Sequence, residues 1–454
     1  MTKAKKTMGN VKGKNQSVGD LPDLSPIEFP KDGYFGKGNK KPDDTSIKPF
    51  KVNVPEAVLE DLKERIKKTR IGHNQLEDVP DFTFGFNLKT LEIFRNYWLT
   101  KYDWKKTEAQ LNSFPQFTTE IEGLRIHFIH SKPPEKKYLK VFPLLIVHGW
   151  PGNIFEFYKI IPMLTDPNSF FEKKSEFAFE VVAPSIPGYG WSEASHKSGL
   201  DQIATARIFN KLMKERLGFP KFLIQGGDWG SLVVSNIGRM YPENIYGVHL
   251  NIAFVLGGFK STFLQVFGSL CPKLLFKDTE SHNYNMLDFL LEGLKETGYM
   301  HIQSTKPDTV GVGLNDSPVG LMAYILEKFS TWTNPAFRNL PDGGLEKKFT
   351  KDELLTMIMI YWINGNIVSS QRYYREFFSN PERLAFASKY VRAPVGLAMF
   401  PHELGGRIPI EIAETNYNIT HYTLYNDGGH FAAFEMPKEL AEDVFTFMRK
   451  LLKN

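Results

Sequence analysis

The apolar positions of this chain change rhythm several times, and the changes divide it into segments. Residues 1–45 carry no periodic apolar positions. They are rich in Lys, Gly, Pro and Asp and read as a polar, disordered or loosely draped tail. From Pro55 to Arg70, Val58, Leu59, Leu62 and Ile66 recur at helical spacing, with Pro55 suited to the first turn. A second helical pattern runs from Leu88 to Trp104. Strict alternation takes over in Phe117–Ile121 and Leu124–Ser131, on either side of Glu122-Gly123, and predicts a β-hairpin.

Short apolar strands then alternate with helices. Strands are expected at Leu144–Val147, Phe179–Ala183, Phe222–Gln225 and Gly247–Leu250, with helices at Ile154–Leu164, Asp201–Leu217 and Ser231–Tyr241 between them. Such a rhythm implies a mostly parallel sheet covered on both faces. From about Ala253 to Pro381 it gives way to helices and loops. Strands return at Ala393–Met399 and Tyr422–Leu424, before a last helix, Pro437–Leu452. The expected division is a tail (1–45), an extension wrapping the core (46–116), core (117–252), a helical lid over the carboxyl ends of the strands (253–387), and the rest of the core (388–454).

Composition narrows the function. With 42% hydrophobic residues the chain can bury a large core, and its 37 Phe lean toward an apolar pocket. A net charge of +5, without a basic stripe in the folded part, does not suit a nucleic-acid partner. The most apolar runs, Phe142–Val147 and Leu354–Ile363, are core-sized and fall short of the roughly 18 residues a spanning helix needs. Met1–Asp20 reads as neither signal peptide nor anchor, though a basic tail could rest on an anionic membrane surface. Cys271 stands alone, which excludes an intrachain disulfide; it is expected to be a small buried apolar residue.

The strongest local signal is Gln225-Gly226-Gly227-Asp228-Trp229-Gly230, set between an expected strand and helix. A nucleophile elbow needs small residues two before and two after the nucleophile, and Gly226 and Gly230 meet that need around Asp228. The competing reading of Asp228 is a helix N-cap. A carboxyl of ordinary pKa, about 3.9, is ionised at neutral pH and needs no base to attack a strained or activated sp³ carbon. The ester so formed does need a base for its hydrolysis. Tyr425-Asn426-Asp427-Gly428-Gly429-His430-Phe431 follows the last strand on a glycine-rich loop and offers His430. Glu403, after the strand Ala393–Met399, is the expected acid that orients it. Asp427 competes but lies too near His430 in sequence to reach the far ring nitrogen easily. The order nucleophile, acid, histidine is that of the α/β-hydrolase fold. His148-Gly149-Trp150-Pro151-Gly152 follows the strand Leu144–Val147, where that fold builds half of its oxyanion hole. The backbone N–H groups of Trp150 and Trp229 are the expected donors, with His148 structural and Ser231 part of the helix start. No metal or organic cofactor is called for.

Together these motifs resemble the microsomal-type epoxide hydrolases, and especially the insect juvenile hormone epoxide hydrolases. The resemblance runs from about Asp44 to the C-terminus. It rests on the elbow, the His148–Gly152 loop, Ser185-Ile186-Pro187-Gly188-Tyr189-Gly190, Gly429-His430-Phe431, and the lid stretches Gly298–Thr309, Asn315–Pro318 and Trp332-Thr333-Asn334. It implies hydrolysis of a lipophilic epoxide by water to a diol. It also implies two lid tyrosines that donate to the epoxide oxygen, Tyr299 and Tyr374, the latter with Tyr373 as a neighbour one register away. Family members usually begin with an apolar anchor, then a Trp-Trp-Gly-Pro segment. Here a Lys-rich stretch and Asp32-Gly33-Tyr34-Phe35-Gly36 stand in those places. The resemblance therefore implies an endoplasmic reticulum or microsomal surface, while the missing anchor leaves a soluble cytosolic form open. Two other readings stay in view: a haloalkane dehalogenase-like hydrolase, needing halide-binding side-chain donors instead of paired phenols, and a non-catalytic lipid or hormone carrier on the same fold.

Overall fold

The computed structural model describes residues 7–8, 28–71, 74–404 and 406–453. Ten strands form one sheet: β1 Thr7–Met8, β2 Lys48–Phe50, β3 Gln116–Ile121, β4 Leu124–Ser131, β5 Lys140–Val147, β6 Phe177–Pro184, β7 Phe222–Gly226, β8 Ile245–Leu250, β9 Val391–Met399 and β10 Tyr417–Leu424. Their order is β1-β10-β9-β8-β7-β5-β6-β4-β3-β2. The six strands from β10 to β6 run parallel, and the outer pairings on both sides are antiparallel. The central strands are buried on both faces; Leu144–Val147 and Phe222–Ile224 are almost wholly inaccessible to solvent. Unbroken apolar runs, not alternation, are what a sheet covered on both sides requires. The carboxyl ends of β5, β7, β9 and β10 lie along one rim, and each is followed by a loop that carries site residues.

Three expected helices differ from their sequence reading. Ile154–Leu164 is a 3₁₀ turn, Ile154–Phe157, followed by a short helix, Ile160–Thr165. Asn153 caps the turn by accepting from the Phe155 N–H at 3.0 Å, which starts a tight turn rather than an α-helix. Leu88–Trp104 breaks into Leu88–Thr100 and Trp104–Leu111, because Asp103 turns its side chain to the Lys106 N–H and opens a new helix. Asp201 caps the helix Gln202–Lys211, which ends in a π-turn at Leu212–Arg216.

The described part of the expected tail is also different. From residue 28 it packs on the hairpin β3–β4. Phe35 is buried, its N–H donates to Glu122 O at 2.8 Å, and the Asp43 carboxylate accepts from the Glu122 and Gly123 N–H groups. Beneath it, Arg207 grips Glu122 through two hydrogen bonds of 2.6 and 2.7 Å, and Lys211 adds a third contact to that carboxylate. The charges that look like a solvated tail in the sequence are thus used as docking points.

The extension braces the lid. Its helix Leu88–Thr100 buries Leu91, Phe94 and Trp98, while Thr90 donates to Pro341 O and Tyr97 to Asp352 across the boundary. The lid is helical from Phe259 to Ala387. Its helices Gly298–Thr305 and Ile367–Phe378 pack against each other above the rim. Cys271 is exposed, contrary to expectation. It sits between the helices Phe259–Leu270 and Pro272–Leu275, whose apolar neighbours Phe259, Leu270 and Leu274 themselves face outward.

Candidate active site

β7 ends at Gly226, the helix Trp229–Met240 begins at Trp229, and Asp228 occupies the turn between them with φ +49° and ψ −131°. A non-glycine residue held there costs about 1–3 kcal/mol and persists only where the surroundings impose it. Here they do. A Cβ on Gly226 would meet the Gly230 backbone at 2.5 Å, and one on Gly230 would meet Val147 O at 2.0 Å. The turn is closed on itself and pressed against β5. The Asp228 side chain does not cap its own helix. It points out of the turn, where its Oδ1 accepts from the Trp150 N–H at 2.7 Å. The Trp229 N–H, in the first turn of the helix, has no partner within the helix. The Trp150–Pro151 peptide is cis.

His430 arrives from the loop after β10, held by its N–H to Trp332 O at 2.9 Å. Its Nε2 lies 3.4 Å from Asp228 Oδ2 and its Nδ1 2.5 Å from Glu403 Oε1. Burial by itself would lower the imidazole pKa, but the charges and hydrogen bonds of Glu403 and Asp228 outweigh it and hold the pKa well above the ordinary histidine range. Asp427 turns away to Lys348, 2.6 Å distant. His148 accepts from the Ile186 N–H, and burial depresses its pKa to about 4, so it stays neutral and fixes the loop. Ser231 donates to Asp228 O and belongs to the helix start.

Above the rim the lid supplies an aromatic wall. Tyr299 stacks on Trp150 with centroids 5.1 Å apart and planes 7° from parallel, and Tyr374 meets Tyr299 edge-on at 5.9 Å. Tyr374 also packs on Trp229 at 4.6 Å. Burial pushes both phenols well above the ordinary tyrosine range, and the Asp228 charge adds to the push. The neighbouring Tyr373 spends its hydroxyl on Thr205 Oγ1 at 2.8 Å, on the core side. The structure thus brings together Asp228, His430, Glu403, Tyr299, Tyr374, Trp150 and Trp229.

Three residues given no role from the sequence belong to this surface. Trp332 packs against His430 at 4.8 Å and Tyr299 at 5.1 Å; its Trp-Thr-Asn motif was the only signal. Glu435 accepts from the Gly429 and Phe431 N–H groups, gripping the histidine loop on both sides of His430. Glu156 lines the cavity beside Asp228 and His430. No cluster of three or more metal-ligating side chains occurs among the described residues. A strained carboxylate, an imidazole paired with a second carboxylate, a backbone donor and two phenols form a set suited to displacement at a carbon whose leaving oxygen needs a proton.

Residues 47–157 match the family model described as Epoxide hydrolase N terminus, and residues 143–344 match that of the alpha/beta hydrolase fold. The chain is 48% identical over 447 residues to Epoxide hydrolase 1 of Oryctolagus cuniculus, covering 95% of this chain and 94% of that protein. It is 43% identical over 437 residues to Juvenile hormone epoxide hydrolase 2 of Ctenocephalides felis, covering 94% and 91%. The crystal structure of juvenile hormone epoxide hydrolase from the silkworm Bombyx mori superposes with a TM-score of 0.88 at 41% identity, over 94% of this chain and all of that one. The chain belongs to the epoxide hydrolases of the microsomal and juvenile hormone type, enzymes of the α/β-hydrolase fold.

Proposed function

We propose that this epoxide hydrolase works through an ester on Asp228, with the other site residues in the following roles. Tyr299 and Tyr374 donate hydrogen bonds to the epoxide oxygen. Asp228 Oδ2, the oxygen not engaged by Trp150, attacks a ring carbon from the opposite side, and the C–O bond of the ring breaks as a phenol delivers its proton. His430, oriented by Glu403, then takes a proton from water as the water attacks the Asp228 ester carbonyl. The oxyanion develops on Oδ1, where the Trp150 and Trp229 N–H groups meet it. Its collapse releases the diol.

The single observation that carries this reading is the split use of the Asp228 carboxylate: one oxygen on the Trp150 N–H, the other facing His430. The order of events follows from the charges. While Asp228 is an anion, it helps hold His430 protonated. Esterification removes that charge, so the imidazole pKa falls just when a base is required; the proton it gives up restores the phenol, and the acid left on Asp228 after hydrolysis protonates His430 again. Lipophilic epoxides fit the aromatic wall, and juvenile hormone is one member of that class. The test is a single turnover in H₂¹⁸O with enzyme in excess. The diol is expected to carry no ¹⁸O, and the peptide holding Asp228 to gain one ¹⁸O atom. Label in the diol instead would mean that water attacks the epoxide directly.

We also propose that the enzyme meets its substrates at a lipid surface. No helix among the described residues is long and apolar enough to cross a membrane. The lid, however, exposes Phe259, Leu270, Leu274, Leu287 and Leu294 on three α-helices that precede Tyr299. Clustered exposed apolar side chains of this kind mark interaction surfaces. Phosphatidylcholine vesicles are expected to co-sediment the enzyme, and Phe259→Ser/Leu274→Ser/Leu294→Ser to reduce the bound fraction at least about threefold. Equal binding by the variant would remove the lid from this role.

A further inference from the structure

We propose that Glu156 holds the water that hydrolyses the Asp228 ester. Glu156 lies on the 3₁₀ turn Ile154–Phe157, directly after the oxyanion loop, and is buried. Its carboxyl folds back over Gly152. A Cβ on Gly152 would lie 1.4 Å from Glu156 Oε1, so the absent side chain of residue 152 is the space the carboxyl occupies. Tyr361 fixes the same strip of backbone by donating to Gly152 O at 2.9 Å. The place so made opens into the cavity bordered by Asp228, Asn251 and His430.

Of the four oxygens on the neighbouring Glu403 and Glu435 carboxyls, three are already engaged, and the fourth, Glu403 Oε2, is buried without a partner. Glu403 Oε1 serves His430 and the Leu404 N–H, and both oxygens of Glu435 accept backbone N–H groups. The Glu156 carboxyl has the backbone of Asn153 as a hydrogen-bonding partner. A buried polar group with unspent capacity, in a polar cavity next to the ester carbon, is where a bound water belongs. Burial raises the Glu156 pKa to about 8, with Asp228 pushing up and His430 pulling down. At neutral pH it is therefore mainly the uncharged acid. Its carbonyl oxygen can accept a water proton without adding a second anion beside Asp228.

In the step itself, the water oxygen bonds to the carboxyl carbon of the Asp228 ester and one water proton passes to His430 Nε2. Glu156 accepts a hydrogen bond from the O–H that the water keeps. Collapse of the tetrahedral centre breaks the bond to the diol oxygen, which leaves with the proton from His430. Glu156 thus aligns the water and takes no part in opening the ring. Misplacing a reactant by about 1 Å can cost roughly 10²-fold in rate.

This inference rests on the ester reading above, so the experiment resolves the two steps separately. Rapid-quench mass spectrometry with a lipophilic epoxide follows ester formation and ester loss in wild type, Glu156→Leu and Glu156→Gln. Glu156→Leu, which has no acceptor, is expected to form the ester within about threefold of the wild-type rate and to hydrolyse it about 10²-fold more slowly. Glu156→Gln, which keeps a carbonyl acceptor in the same place, is expected to hydrolyse within about tenfold of wild type. The inference is overturned if Glu156→Leu hydrolyses its ester at the wild-type rate, if both of its steps fall together, or if the Gln variant is as slow as Leu. Absence of any ester in wild type and variants alike would instead sink the ester reading itself.

Discussion

Mixed with a lipophilic epoxide, His430→Gln is expected to gain the mass of one substrate molecule and to keep it. In the mechanism proposed, Asp228 attacks as a carboxylate and needs no base, so the first step should proceed. The second step requires a group that can accept a proton from water, and glutamine cannot. Loss of a general base typically lowers a step by about 10²–10⁴-fold, or roughly 3–5 kcal/mol of barrier. The ester should therefore accumulate to one equivalent and persist for minutes or longer, and peptide mapping should find it on Asp228. The Nε2 of His430 is 3.4 Å from Asp228 Oδ2, and His148, which lines the same cavity, is not poised to substitute because its Nε2 accepts from the Ile186 N–H and its Nδ1 pairs with Gly149 O. If no adduct appears while wild type still makes diol, Asp228 is not the nucleophile and the roles proposed for both residues fall together.

Much of this site is legible in the sequence, for reasons that differ by residue. Asp228 stands out because the elbow is a local device: Gly226 and Gly230 touch each other across it and β5 leaves no room for side chains. His430 stands out because its loop follows the last strand. Glu403 stands out by the same positional logic, and the alternative, Asp427, is drawn off by Lys348. The lid tyrosines are different. Tyr299 and Tyr374 are two of eighteen, and nothing in their spacing distinguishes them without the family resemblance. Neighbouring positions on one helix point about 100° apart, which is why Tyr373 reaches Thr205 and Tyr374 reaches the site.

Glu156 could not be read at all. Its place depends on a 3₁₀ turn where the apolar pattern suggests a helix, and on an empty Cβ position four residues earlier. The same limit explains Cys271 and residues 28–44. Apolar neighbours imply burial only if something covers them, and the lid helices around Cys271 leave Phe259 and Leu274 outside. Polar composition implies solvent only if no partner awaits, and Asp43 finds two backbone N–H groups on the hairpin.

Replacing both lid phenols should block the step before the ester. An alkoxide is a poor leaving group, and ring opening stalls unless a proton or strong hydrogen bond meets the developing charge. Tyr299→Phe and Tyr374→Phe singly are expected to slow ester formation by about 10–10²-fold each, since the remaining phenol can still donate. The double variant should lose at least about 10³-fold, roughly 4 kcal/mol, and should show no ester build-up even when combined with His430→Gln. The packing of both rings makes the test clean. Tyr299 lies flat on Trp150 and Tyr374 edge-on to Trp229, contacts that phenylalanine rings repeat, so the fold of the site should survive the change. Because burial and the Asp228 charge hold both phenols well above the ordinary tyrosine range, they remain protonated through the neutral and moderately alkaline range. Ring opening should accordingly show no alkaline loss from phenol ionisation up to about pH 10, the ordinary tyrosine pKa. A double variant that still forms ester at the wild-type rate would show that another group supplies the proton. A steep decline of ester formation between pH 8 and 10 would show that the phenols are not held protonated as their surroundings require.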